Sequence, residues 1–367
     1  MKISLITFHC AWSFGAALQA YALCRFLTQA GHAVEIADYR PDAIENPPDW
    51  RRDRFHGFHP AHVEWWLTRR RFAAFRSAFL PLSRKTYRTF AELQADPPEA
   101  DAYVCGSDQI WNPHITNGAL DPAYFLDYAP AGKRRIAYAA SLGGTHLPPA
   151  CLATFRDLVS RLDFLSCREA EAAAFVADAT GREVATAIDP ALLAADGGAW
   201  DRAGRRPHNP YVFAFTLQHR DDLWAAIAAG ARELGVPARI ANGPWKWWRL
   251  PGRPVHPGPD GWVHFVRHAA AVLTDSFHGT VFAILNHRNF VVFPLAGHMA
   301  DRNPRIVRLL ESLGLQDRLA QPTDLDAIRR LLRTPIDWPP VERRLATLRQ
   351  TSAQFLLRAL SAPRPRR

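Results

Sequence analysis

Lys2 to Phe8 is a short run of apolar, strand-forming residues, followed by small and polar positions from His9 to Ser13. Beyond Gly15, apolar residues fall at Leu18, Tyr21, Ala22, Leu23, Phe26 and Leu27, a helical spacing that Gly31 closes. A second strand, Ala33 to Asp38, ends in Tyr39-Arg40-Pro41, so the chain opens with the β-α-β unit that builds a parallel sheet. The alternation continues through strands at Ala102 to Cys105, Arg135 to Ala140, Phe164 to Cys167 and Ala185 to Ile188. Helices are predicted at Cys151 to Arg161 and onward from Arg168-Glu169. From Asp196 to Pro210 the sequence is rich in Gly, Asp, Arg and Pro and loses all periodicity, which marks a linker.

A second alternation follows. Strands are predicted at Tyr211 to Leu217, Ala238 to Ala241, Ala270 to Thr274 and Asn289 to Phe293, with helices at Asp222 to Leu234, Gly261 to His268 and Thr280 to Asn286. After Pro304 the pattern is helical, at Ile306 to Leu313, Leu325 to Leu332 and Val341 to Leu360. The expected fold class is therefore α/β, with two Rossmann-like domains facing a cleft and helices at the C-terminus. Ligands are expected at the carboxyl ends of the strands. The boundaries read as a first domain over 1–195, a linker over 196–210, a second domain over 211–335, and a C-terminal helix with a basic tail over 336–367.

Composition narrows the setting. No apolar stretch approaches the roughly 20 residues that span a bilayer, and His9, Trp12 and Ser13 interrupt the N-terminal run too early for a signal peptide. The five cysteines, Cys10, Cys24, Cys105, Cys151 and Cys167, are scattered and never spaced as a zinc or redox pair, so a reducing cytoplasm is the expected location. The formal charge of +10 suits nucleic acid, an anionic membrane face or a small acidic substrate. Much of it lies in 46–88, where arginines 51, 52, 54, 69, 70, 71, 76, 84 and 88 and Lys85 interleave with Trp50, Trp65, Trp66, Phe72, Phe75 and Phe79. Part of that segment is predicted to be a basic amphipathic helix. It would be either a solvated insertion packed on the first domain or a peripheral contact with an anionic membrane.

Candidate chemistry sits where strands end. Ser13 to Gln19 places small residues, including Gly15, at a strand-to-helix turn where backbone N–H groups can face an anion or a sugar oxygen, or simply form a tight turn. Gly106-Ser107-Asp108-Gln109-Ile110-Trp111-Asn112-Pro113 crowds hydroxyl, carboxylate and amide groups around an aromatic, a composition that binds polyhydroxylated ligands and also suits turns. Arg168 offers a bidentate fork for carboxylate or phosphate, or pairs with Glu169. Asp189-Pro190 alone reads as a turn. Thr274-Asp275-Ser276-Phe277-His278-Gly279 follows a buried strand and precedes a helix. It puts His278 where an imidazole can meet an anion or act as general acid, with Asp275 to orient or charge it. Trp245, Trp247 and Trp248 flank Lys246 and either line a cleft or cap an apolar edge, and Arg305 opens a helix after Asn303-Pro304.

Taken in order, Thr7-Phe8-His9, Ser13 to Tyr21, Tyr39-Arg40-Pro41, Gly106 to Pro113, Ser166 to Glu169, Asp189-Pro190 and Ser276 to Gly279 resemble the polysaccharide pyruvyl transferase family, over residues 3 to about 320. The resemblance implies a GT-B-like fold. It also implies transfer of pyruvyl from phosphoenolpyruvate to a sugar as a ketal, in cell-surface or exopolysaccharide biosynthesis, with no cofactor beyond the donor; no metal cluster is visible in the sequence, which neither requires nor excludes a divalent ion. It assigns His278 to phosphate contact or general acid catalysis and Arg168 to phosphoenolpyruvate, with Ser276 and Gly279 beside them. Ser107, Asp108, Gln109, Trp111, Gln19 and the turn at Ser13 to Gly15 would hold the acceptor, free or lipid-linked, in the first domain. Several branches carry Arg-Leu-His-Gly where this chain has Ser276-Phe277-His278-Gly279, so Arg305, Lys246 or Arg302 would supply the cation.

Two other classes stay open on the residues alone. One is a GT-B-type glycosyltransferase with a nucleotide sugar on His278 and Arg168. The other is a non-catalytic binder of membrane or nucleic acid built on 46–88, with nucleic acid the less expected partner.

Overall fold

In the computed structural model, residues 1–46, 60–194, 209–241 and 250–363 are described. Trp50, Trp245, Lys246, Trp247, Trp248, nearly all of the expected linker and the basic tail 364–367 lie outside them. The chain divides into two units. The first comprises Met1–Arg54, Ala73–Ala194 and Thr347–Arg367, and the second comprises Phe55–Phe72 and Ala195–Ala346.

The first unit is a seven-stranded parallel sheet. Its early elements are β1 (Lys2–Ile6), α1 (Phe14–Gln29), β2 (Ala33–Tyr39), the single turn α2 (Asp42–Glu45), α3 (Pro60–Phe79), β3 (Leu82–Tyr87) and α4 (Phe90–Ala95). They are followed by β4 (Ala102–Gly106), β5 (Arg134–Ala140), α5 (Leu152–Ser160), β6 (Phe164–Cys167), α6 (Ala170–Thr180), β7 (Ala185–Thr186) and the short α7 (Pro190–Leu193). The strand order β3-β2-β1-β4-β5-β6-β7 reverses between β1 and β4, the position where such sheets open a crevice beyond their carboxyl ends. Every residue of β4 is buried, as expected for strands covered on both faces.

One strand of this unit escaped the sequence pattern. β3 exposes Arg84, Lys85 and Thr86 and buries only Ser83 and Tyr87 outright, so it reads as part of a basic segment. It is in fact an edge strand whose charges blunt its free side. The basic helix forms as α3, and its second half packs through aromatics: Phe75 stacks on Phe79 at 4.7 Å, and both meet Tyr21 edge-on. Its earlier part belongs to the second unit, because the helix runs unbroken across the boundary at Phe72/Ala73.

The second unit repeats the plan with β8 (Val212–Phe215), α8 (Asp221–Glu233), β9 (Ala238–Ala241), β10 (Arg253–Val255), α9 (Pro259–His268), β11 (Ala271–Thr274), α10 (Phe277–Leu285) and β12 (Asn289–Val292). Its five parallel strands lie in the order β10-β9-β8-β11-β12, which reverses between β8 and β11. Val212, Ala214, Ile227, Ile240, Leu273, Val291 and Ile328 form one of its cores, and Phe213 stacks on Phe265 at 5.6 Å. Helices α11 (Asn303–Leu313) and α12 (Leu325–Arg333) follow.

The last helix, α13 (Trp338–Ser361), starts in the second unit and ends in the first. In the first unit it is pinned by polar contacts rather than standing apart as 336–367. Arg134 donates to the carbonyls of Ala359 and Ala362, the Ser352 hydroxyl accepts from Ile188 N–H, and Arg349 donates to Leu192. Among the described residues no helix is long and apolar enough to cross a membrane.

Candidate functional site

In the second unit the site is built at the reversal of the sheet. Thr274 ends β11 and donates its hydroxyl to the Phe215 carbonyl at the end of β8, 2.6 Å away. The next residue, Asp275, is fully buried, and its carboxylate accepts Leu217 N–H at 2.6 Å and Gln218 N–H at 3.0 Å. Asp275 therefore clamps the backbone after β8, each of its oxygens accepting a backbone amide. Burial is the larger influence on this carboxyl and pushes its pKa from 3.8 up to about 6, against the lowering effect of those amides.

This shift has a definite sign. Native protonation is favoured, so the associated stability is present in full below about pH 4 and is lost as pH rises through 6. At about 1.4 kcal/mol per unit the loss is on the order of 3 kcal/mol. Asp275→Asn cannot titrate, so its stability deficit relative to the native chain is expected to shrink by that order between pH 4 and pH 7 in denaturant titrations. Parallel curves would contradict the assignment.

Ser276 is the N-cap of α10: its hydroxyl accepts from Gly279 N–H at 3.4 Å, while its own N–H donates to Thr274 Oγ1. Ser276 therefore caps the helix. Gly279 is dictated by packing, because a Cβ there would collide with the Thr274 side chain. His278 is not in a loop, as the pattern suggested, but in the first turn of α10, half-buried and edge-on to Phe277 with ring centroids 5.2 Å apart. The Arg305 guanidinium lies over the same Phe277 ring, 5.7 Å from its centroid. The sequence-predicted His278 and Arg305 are thus brought to one aromatic side chain.

Two polar residues here were missed by the sequence reading. Gln218 exchanges side-chain hydrogen bonds with the backbone of Ala296, and Arg220 forks onto Asp222 while reaching the carbonyl of Pro294. They tie the loop after β8 to the loop after β12. The helix that follows is read from Asp222, and nothing in the sequence singles out the neighbouring Arg220.

In the first unit the predicted residues converge on Arg168. Its Nε donates to Glu169 at 3.0 Å and its Nη1 to Asp189 at 3.1 Å, with the side chain 3% exposed. Burial alone would lower its pKa, but the carboxylates of Glu169, Asp189 and Asp108 outweigh that and raise it. The fork expected to meet phosphoenolpyruvate is thus engaged by the chain's own carboxylates. Asp189, which looked like a bare turn, is 1% exposed, caps α7 through Ala191 N–H, and also accepts from the Ser107 hydroxyl. Ser141 extends the network by donating to Glu169.

The remaining candidates divide between scaffold and surface. Gln19 is fully buried and donates to Thr7 Oγ1 and to the Ala16 carbonyl, and Thr7 in turn donates to the Ser107 carbonyl across the β1/β4 reversal. Ser13 is the exposed N-cap of α1, bonded to Ala16 N–H, and Gly15 is buried in its first turn. Trp111 is not a sugar-facing ring: it is fully buried, stacked on Phe125 at 5.2 Å, and donates to the Tyr124 carbonyl. Gln109 pairs with Asn112 at 2.9 Å, and the two lie so close to Gly143 that it leaves no room for a Cβ. Asp108 remains partly exposed at φ 72°, a left-handed conformation uncommon for a side-chain-bearing residue. Among the described residues, no group of three or more His, Cys, Asp or Glu is placed to hold a metal ion.

Both units thus place their polar residues at the carboxyl ends of parallel strands, which is the arrangement of a GT-B-like fold. A Streptomyces sp. SF2575 glycosyltransferase, SsfS6, solved with thymidine diphosphate, is similar over 98% of this chain and 100% of that chain, at 15% identity and a TM-score of 0.50. The UDP-GlcNAc 2-epimerase from Neisseria meningitidis, bound to UDP-GlcNAc, is similar over 98% and 99%, at 10% identity and a TM-score of 0.52. At these identities the likeness concerns the fold alone. The sequence profile of the polysaccharide pyruvyl transferase family matches residues 14–296, and the chain belongs to that family. No curated protein matches it closely enough to name a nearer relative.

Proposed function

We propose that the protein transfers the pyruvyl group of phosphoenolpyruvate to two hydroxyls of a sugar, forming a ketal in the biosynthesis of a polysaccharide. The observation that carries this reading is His278, delivered by a family-matched segment to the first turn of α10 with Arg305 over the adjoining Phe277 ring. Protonation of the enol methylene carbon makes C2 electrophilic and a first hydroxyl adds. Phosphate then departs with the C–O electron pair, and a second hydroxyl closes the ketal. Of the two hydroxyl protons, one replaces the proton given to the methylene carbon and the other leaves on phosphate. His278 is the group assigned to that proton transfer, a role an imidazole fills near neutral pH.

Ser276 carries no charge, so the donor's anionic groups need another cation. Arg305 is assigned that role, and a guanidinium suits it because its planar donors match carboxylate and phosphate. Arg168, tied to Glu169 and Asp189, is assigned instead to holding the Ser107 and Ser141 loops of the acceptor side, where Asp108 is the exposed candidate. Arg305→Leu is expected to raise the KM for phosphoenolpyruvate by roughly tenfold or more, the scale of one lost charged hydrogen bond, with a smaller change in kcat. An unchanged KM would remove Arg305 from the donor site. The reading itself is tested by incubating the protein with phosphoenolpyruvate and candidate sugars and following phosphate release together with ketal formation by mass spectrometry.

A further inference from the structure

Beside the loop that follows β1, the first unit has a pocket of about 350 Å³ lined by Arg40, Ala73, Arg76, Ser77, Leu80 and Leu82. None of these residues is assigned to the donor or the acceptor in the reading above. Arg76 is 4% exposed, and its guanidinium is fixed from two sides: Nη1 donates to the Cys10 carbonyl at 2.7 Å, and the group lies 4.5 Å over the Trp12 ring. Arg40, just past the end of β2, is fixed by its Nε on Asp38 at 2.7 Å and by Nη1 on Glu45 at 3.4 Å. Asp38 is held in turn by His9 and Thr86.

Among the described residues, Arg40 and Arg76 line the pocket, Arg88 pairs with Glu45, and the carboxylates that meet these arginines are Asp38 and Glu45. Glu45 stands 3.8 Å from Arg76, too far for a hydrogen bond. Burial first, and then the neighbouring Arg40, lower the pKa of Arg76, against the raising influence of Glu45 and Asp38. Two immobilised guanidiniums beside a serine hydroxyl form a preorganised oxyanion receptor, and Leu80, Leu82 and Ala73 give an apolar wall for the body carrying the anion.

We propose that this pocket binds an oxyanion, phosphate or carboxylate, carried by a small organic molecule, at a site separate from the one assigned to phosphoenolpyruvate. The inference does not depend on the pyruvyl transfer reading. Replacing Arg76 or Arg40 would break the Glu45 and Asp38 network and could unfold the unit, so the test uses Ala73→Glu, an exposed helix position on the pocket wall.

The probes are inorganic phosphate and acetate, titrated calorimetrically into the full chain carrying His278→Ala and Arg305→Leu, so that the donor site cannot answer for the pocket. Millimolar phosphate or acetate is expected to bind this background, and Ala73→Glu is expected to weaken that binding at least tenfold while preserving the melting temperature. Which probe binds more tightly identifies the anion class. Absence of binding by both probes, or binding unaffected by Ala73→Glu, would overturn the proposal.

Discussion

Replacing His278 with alanine is expected to lower pyruvyl transfer by about 10²- to 10⁴-fold, the usual contribution of a positioned acid, with global stability unchanged within about 0.5 kcal/mol. The stability expectation follows from its place. His278 is half-buried in the first turn of α10, while that turn is secured by the Ser276 cap, the Thr280 hydroxyl on the Ser276 carbonyl and the close approach of Gly279 to Thr274. Alanine is also a better helix former than histidine. The comparison is made at saturating phosphoenolpyruvate, so that lost binding is not read as lost chemistry. Turnover within a factor of a few of the native rate would remove His278 from the proton transfer.

The second large effect is on the fold. Arg168→Leu leaves Glu169 and Asp189 without their shared cation in a buried setting, and breaking a buried pair from one side costs about 3–5 kcal/mol. Ser107, Ser141 and the Ala191 cap depend on the same carboxylates, so the loops at the carboxyl ends of β4 and β5 should loosen with them. Denaturant unfolding measures the loss. A loss below about 1 kcal/mol would mean that the guanidinium is compensated by something other than these two residues.

Much of the architecture is legible in the sequence because buried parallel strands are continuous apolar runs. Phe164–Cys167 and Ala238–Ala241 are bounded to the residue, and Gly31 and Gly235 close α1 and α8 with positive φ as their positions suggest. The edge strands β3 and β10 lack that signal. β3 shows solvent three consecutive polar residues, and β10 is three residues long with a central proline, so neither alternates.

The site divides along a similar line. His278 and Arg305 could be singled out by residue type and by position relative to a strand end. What the sequence cannot convey is which polar side chains a loop turns inward. Asp275, Ser276, Gln19 and Ser107 look like ligand-binding residues, yet each holds backbone or another side chain in place, and Trp111 lies in the core. The reverse holds for Asp189, an unremarkable Asp-Pro in sequence that becomes a partner of Arg168 only when β6 and α7 are brought together.

The measurement that bears most directly on the assignment is a titration of the full chain with phosphoenolpyruvate, UDP, thymidine diphosphate and a panel of nucleotide sugars, read by thermal stability, with His278→Ala and Arg305→Leu alongside. Millimolar phosphoenolpyruvate is expected to raise the melting temperature by mass action, the Arg305→Leu variant to lose most of that shift, and the nucleotides to have no comparable effect. Stabilisation by a nucleotide or nucleotide sugar with none by phosphoenolpyruvate would contradict pyruvyl transfer and leave a sugar transferase on the same fold.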